Sequence, residues 1–289
     1  MHLAVADAIE ARAVVRTLAK VGVDFIKIHL TLTREQYDAI IDESKKVGLP
    51  VAGHIPSRNT PEEVSDAGEA SIEHTESLFQ GTFDMRTPRE QMIANMDLLF
   101  QRFAKNNTFY TPTLIMYKSS ADFRGLKPDP QTKYVAKSAF EVMTKAAETI
   151  KKYPDIVPGR LKVFGDLKML VGMMRKNGVK VMVGTDLADG RIFPGYSVHE
   201  EMELLVESGF TADEAIQAAT RVPTEYLRLK DSGVIRPGNR ADFILLNANP
   251  LSDIRNTRKI ESVVACGRLF NRLDLDQVLK NAEQMAVNH

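Results

Sequence analysis

Two hydrophobic periods alternate along this chain. Short runs dense in β-branched and apolar residues read as strands: Phe25–His29, Val51–His54, Ser71–His74, Tyr110–Leu114 and Val183–Asp186. A helical pattern separates most consecutive pairs. Ala6–Leu18 opens the chain as a helix, with Ile9, Val14, Val15 and Leu18 on one side. A strand is predicted over Val23–Leu30. Thr33-Arg34-Glu35-Gln36 then fits a capping box, and the helix it starts ends near Gly48, a natural left-handed residue. The strand Leu49–Ile55 follows. Thr60-Pro61-Glu62-Glu63 is a second capping box with proline in the first turn, and its short helix stops at Gly68. Ser71–Glu76 is the third strand. A βαβαβ rhythm of this kind implies parallel strands with right-handed crossovers.

Residues 88–104 read as a helix and Thr108–Met116 as a strand. About sixty residues separate that strand from the next, at Val179, far more than one crossover helix needs. Helical patterns at Thr132–Tyr153 and Arg160–Lys176 flank Pro154 and Pro158. They read as an inserted helical hairpin over about 118–178, either part of a lid or a second outer helix with no role in gating. A Gly- and Pro-bearing loop follows Asp186 through Gly195, then a helix over Ser197–Glu207 and a capped one from Thr211-Ala212-Asp213-Glu214. The tail from Gly233 to Leu246 ends in a strand. Ser262–Ala265 turns at Cys266-Gly267 into Leu269-Phe270, an antiparallel pattern outside the βα rhythm. The expected organisation is residues 1–230 as the βα part and 231–289 as β-sandwich strands with a terminal helix.

Composition narrows the function classes. The 289 residues are 44% hydrophobic, enough to bury one large domain or two small ones. The 38 basic and 38 acidic residues balance without a basic stripe, which argues against nucleic acid as a partner. One cysteine, Cys266, excludes an intrachain disulfide. No apolar stretch approaches the ~20 residues of a membrane span, so no membrane partner is expected. Residues 1–7 lack the pattern of a signal peptide, and the expected compartment is the cytoplasm unless a longer parent protein carries a secretory signal.

Several strands end in metal-capable side chains. Lys27 stands between Ile26 and Ile28, where an ammonium must be paired or chemically altered if buried. A lone strand lysine is more often ion-paired or reaching for solvent. His54 and His74 close successive strands, and a neutral imidazole suits borderline-soft divalent ions. Gly53 lets the backbone bend and aim His54. Strand alternation turns Glu73 away from His74, toward an outer helix. His29 lies two residues past Lys27, on the same side: it supports the site, contacts substrate, or is a loop histidine with no role. His199 either reaches the pocket or has a helix-capping or surface role.

The order Lys27, His54, His74, Asp186, the Gly184-Thr185-Asp186 form, the segment Pro194–Leu205 and the tail Gly233–Leu246 with Asn249-Pro250-Leu251 together resemble the amidohydrolase superfamily. The likeness is strongest to its imidazolonepropionase-like and prolidase-like metal-dependent hydrolases. The resemblance implies an α/β fold: a partial (β/α)8 TIM-type barrel with strands like the fourth to eighth and a C-terminal remnant of a small β-sandwich. It implies a divalent metal, Zn2+ by expectation, as one or two ions. Lys27 (carbamylated), His54, His74 and Asp186 would be ligands, Asp186 the catalytic acid–base, and His29 and His199 substrate contacts. The family's His-x-His pair, which belongs before Lys27, is absent from this sequence. The residues present make a single-metal site conceivable, since an open zinc site needs about three protein ligands.

The reaction expected is cleavage of an amide-type C–N bond in a small-molecule or peptide-like substrate by metal-activated water. The alternative is a weak or inactive fragment that associates through an open barrel edge, as a homo-oligomer or with a complementing chain. A third reading, a barrel lyase or isomerase using Lys27 as a Schiff-base amine, is opposed by the ordered His, His, Asp set, which such a site does not need.

Overall fold

Asp7 starts the first helix by accepting from the amides of Ile9 and Glu10, both at 2.8 Å, in a computed structural model that describes residues 3–75, 78, 89–122, 129–142, 154–187 and 192–288. That helix, α1 (Ala8–Val21), ends at Gly22 with φ 83°. It buries Ala11 and Val15 while Ile9 is exposed, so its inward stripe is rotated from the expected one. The chain divides into two compact units, Met1–Pro112 with Met173–Met182, and Thr113–Gly172 with Val183–His289.

The first unit carries four short parallel strands, β1 (Ile26–Ile28), β2 (Val51–Gly53), β3 (Ser71–Glu73) and β4 (Phe109–Thr111), side by side in chain order. Helices α2 (Arg34–Val47) and α3 (Pro61–Asp66) make the first two crossovers. Each starts in a complete capping box, at Thr33 with Gln36 and at Thr60 with Glu63. The next crossover includes α4 (Arg89–Asn106). Ile26, Ile28, Val51, Ile72 and Tyr110 are buried with Phe100 and Phe103 of α4. The fifth expected strand is reduced among the described residues to one parallel bridge, Tyr110 to Val181. The α/β class is as expected; the described sheet is open, with β1 at its edge.

The strands are shorter than the apolar runs because the backbone turns early. Gly53 has φ 135°, which ends β2 before His54. After β4 the chain turns at Thr113, φ 50°, straight into a helix, α5 (Leu114–Asp122), where Leu114–Met116 had read as strand.

In the second unit α6 (Val157–Lys176), most of which lies there, follows a 3-10 turn at Pro154–Ile156. The expected helix at Thr132–Tyr153 is a 3-10 turn at Pro130–Tyr134 and helical residues 137–142, the rest lying outside the described residues. Also outside them are Glu76, residue 88 and part of the loop after Asp186. Helices α7 (Tyr196–Glu207), α8 (Ala212–Ala219) and α9 (Arg221–Tyr226) follow. An antiparallel sheet, β5 (Phe243–Leu246), β6 (Ile260–Ala265) and β7 (Arg268–Phe270), precedes α10 (Arg272–Asn288). Cys266 and Gly267, both left-handed at φ 50° and 77°, form the two-residue β6–β7 turn. No described helix is long and apolar enough to cross a membrane.

Candidate functional site

Three imidazoles meet at the C-terminal ends of β1, β2 and β3. The ring centres of His29 and His54 are 4.6 Å apart, tilted 49°, and those of His54 and His74 are also 4.6 Å apart, tilted 39°. Register explains it. Ile28 is level with Gly53 and Gly53 with Ile72, so the residues that leave each strand emerge side by side.

The backbone that aims them is unusual. His74 has φ 66°, a conformation few non-glycine residues adopt and one that clusters at functional positions. It is held there by its amide to Thr111 O at 2.9 Å and by the Tyr110 hydroxyl donating to its carbonyl at 3.1 Å. Gly53 is required by space as well as by φ, because a Cβ there would meet the Ile28 carbonyl oxygen at 2.3 Å.

His54 is buried, and its Nδ1 has no hydrogen-bond partner among the described residues. Burial lowers its pKa, and His74, His29 and Lys27 add to that, while the Ile28 backbone opposes it. The ring is thereby kept neutral, the form that can ligate a metal.

Lys27 differs from expectation. Its side chain is half exposed rather than buried, because β1 is the sheet edge, and its ammonium pairs with the carboxylate of Glu73. Glu73 was expected to turn toward an outer helix. Parallel register instead sets Lys27 level with Ala52 and Ser71, so Glu73 lies one pleat further on the face that Lys27 shares.

Asp186 and His199 belong to the second unit. Asp186 has φ 49°, a second strained position among the expected site residues. The His199 Nδ1 is 2.9 Å from Thr257 Oγ1, and that hydroxyl donates to Ile254 O at 2.8 Å. Thr257 therefore accepts from the His199 Nδ1–H, and the neutral ring keeps its lone pair on Nε2. Burial lowers its pKa, Arg258 adds to this, and Glu200 opposes it. His199 lines a cavity of about 430 Å³ together with Phe193, Tyr196, Arg258, Ile260 and Leu275.

As the rings stand, no three His, Cys, Asp or Glu side chains among the described residues share a metal position. The donor set nevertheless suits one. Two imidazoles on a tetrahedral zinc, with Zn–N about 2.0–2.1 Å, have ring centres roughly 5 Å apart, close to both separations here. The unpartnered buried nitrogen of His54 is the atom such an ion would satisfy. The carbamate expected at Lys27 fits less well, since it would set a second negative group beside Glu73.

One buried acid escaped the sequence reading. Glu201 accepts from two backbone amides at the start of α5. Its signal was present: it lies on the stripe Ser197, Glu201, Leu204, Leu205 of α7, whose other members are apolar or small and buried.

A parallel βα sheet that gathers histidines at the C-terminal ends of successive strands is the arrangement of a TIM-like α/β protein. The sequence matches the amidohydrolase family over residues 3–270, and the chain belongs to that family. An 81-residue segment is 38% identical to imidazolonepropionase of Deinococcus deserti, covering 28% of this chain and 20% of that one. Among solved structures, a bottromycin amidohydrolase superposes with TM-score 0.81 at 20% identity, over 98% of this chain and 63% of its own. A Xaa-Pro dipeptidase with bound methionine superposes with TM-score 0.65 at 25% identity, over 92% and 59%. The chain thus spans a fifth of the curated relative and about six-tenths of the two solved chains.

Proposed function

We propose that this chain is a metal-dependent hydrolase of the amidohydrolase type that cleaves an amide-type C–N bond. The observation that carries the reading is His54, buried with an Nδ1 that has no partner among the described residues and in ring contact with His74, where two adjacent parallel strands end. Family membership and the resemblance to imidazolonepropionase and a Xaa-Pro dipeptidase support it.

In this reading His54 and His74 would hold a divalent ion, by expectation Zn2+, through neutral rings. The ion would polarise the scissile carbonyl and make water acidic enough to attack at neutral pH. Asp186, ending the Gly184-Thr185-Asp186 motif, is the proposed acid–base, which would take the proton of the attacking water and return it to the leaving nitrogen. His199, which lines the cavity described above, is kept as the proposed substrate contact.

The test is to strip the chain of metal, reload it with Zn2+ and assay Xaa-Pro dipeptides, N-acyl amino acids and cyclic amides for release of the amine. Turnover that a chelator abolishes and Zn2+ restores is the expected result. A chain that binds Zn2+ yet cleaves none of these would overturn the C–N assignment.

A second reading rests on β1, whose outer edge has no described strand partner. Such an edge pairs readily with another strand, so the chain would act as a homo-oligomer or with a complementing chain. Light scattering that gives a monomer across a wide concentration range would remove it.

A further inference from the structure

We infer that His29 is a metal ligand of this chain, completing a three-histidine set with His54 and His74 while Lys27 stays engaged with Glu73. The inference rests on the metal-dependent reading above and names the residue that supplies its third donor.

Four observations lead to it. Ile28 is level with Gly53, so His29 and His54 leave neighbouring parallel strands at the same height, with the histidine of the third strand one residue further on. The His29 ring is as close to His54 as His74 is, at 4.6 Å, which places His54 between two imidazoles. His54 brings to that row a buried nitrogen with no hydrogen-bond partner among the described residues. Finally, the Nζ of Lys27 is already held by the Glu73 carboxylate, on the same sheet face, so the residue two positions before His29 is committed elsewhere.

The chemistry is consistent. Three imidazoles with one open position form an established catalytic zinc set, and the count is sufficient without a lysine carbamate. The rings now lie as a tilted ladder, and gathering their nitrogens on one ion requires them to turn. His29 has the room: it is exposed and borders a cavity of about 870 Å³ alongside β1, together with Val15, Leu18, Phe25, Lys27 and Gln36. Ligation by an exposed edge residue also gives β1 a tie to β2 and β3 beyond its one-sided ladder.

The experiment is titration of the whole, metal-stripped chain with Co2+, followed by its visible absorption and by calorimetry. Wild type should bind about one Co2+. His29→Ala should weaken binding more than ~100-fold, beyond the ~10–100-fold that loss of a merely supporting partner costs. His29→Cys, made in a Cys266→Ser background, should bind Co2+ with a new thiolate-to-metal absorption band, a signature that no structural role for residue 29 produces. Lys27→Met should bind as wild type does, with or without bicarbonate. Both histidine variants should keep the circular dichroism and melting profile of the metal-free wild type, because residue 29 is exposed.

Retention of wild-type affinity in His29→Ala, alongside its loss in His54→Ala, would overturn the role of His29 and leave the metal-dependent reading intact. So would a bicarbonate-dependent gain in affinity that Lys27→Met removes, since it would put the carbamate in the third position. Absence of Co2+ or Zn2+ binding by the wild type would overturn both.

Discussion

Glu201 and Leu114 are joined across 87 residues of sequence: the buried carboxylate of α7 accepts the Leu114 amide at 2.8 Å with one oxygen and the Ile115 amide at 2.7 Å with the other. The first two amides of α5 lack an intrahelical acceptor, and Thr113 has turned left-handed just before them. Glu201 does from a distant helix what a local cap does elsewhere.

That relationship gives a prediction in pH. Burial pushes the Glu201 carboxyl up to about 8, against the two amide bonds that favour its ionised form. A carboxyl raised in the folded state binds more protons than in the unfolded chain, so stability falls as pH rises from ~4.3 through the folded value. Urea denaturation between pH 5 and pH 8 should show this decline, with a steepest slope of about 1.4 kcal/mol per unit from this group. Glu201→Gln should lose that slope. It should also be weaker by roughly 1–3 kcal/mol at pH 5, because the amide nitrogen of Gln faces a backbone donor.

His54 gives the opposite sign. Its pKa is lowered, so the folded chain resists protonation, and the stability this confers is present above ~6.5 and lost as pH falls through the folded value. Metal-free wild type should therefore be less stable at pH 5.5 than at pH 7.5 by more than His54→Gln is. Equal pH dependence in the two chains would mean that the ring is not held neutral.

Gly53→Ala should be among the most damaging small substitutions in the first unit. The added Cβ meets the Ile28 carbonyl oxygen at 2.3 Å, and the backbone is at φ 135°. Overpacking and strain, each about 1–3 kcal/mol, predict a loss of roughly 2–6 kcal/mol in thermal or urea unfolding. Metal binding should weaken as well, because the shift is passed to His54.

Asp186→Asn separates chemistry from ligation. With Asp186 as proton carrier, turnover should fall ~10²–10⁴-fold while metal content by elemental analysis is retained. Metal lost in step with activity would make Asp186 a ligand before anything else.

The tautomer of His199 is open to direct observation. Nitrogen-15 shifts should show Nδ1 protonated and Nε2 bare at pH 7.5. Thr257→Val should remove the acceptor at 2.9 Å and destabilise by about 1 kcal/mol, since the donor it leaves is only half-buried.

What the sequence determined by itself is what local chemistry controls. The capping boxes at Thr33, Thr60 and Thr211 stand as read, since each needs only residues three apart. Gly48 ends α2 in the left-handed region, and Cys266-Gly267 makes the hairpin turn, again through a few adjacent dihedrals. The βα rhythm gave parallel strands in chain order, because a crossover that includes a helix returns the chain to begin the next strand in the same direction.

Tertiary structure decided what depends on register and on which face is covered. Lys27 meets Glu73 46 residues away only because two ladders align it with Ser71. His29 is drawn from a loop position into ring contact with His54 by the same alignment. Leu114–Met116 had the composition of a strand and became helix, since the turn at Thr113 and the carboxylate of Glu201 together start α5 there. None of these pairings has a sequence period to announce it: strand alternation says which side chains share a face, but only the assembled ladder says which neighbours they meet.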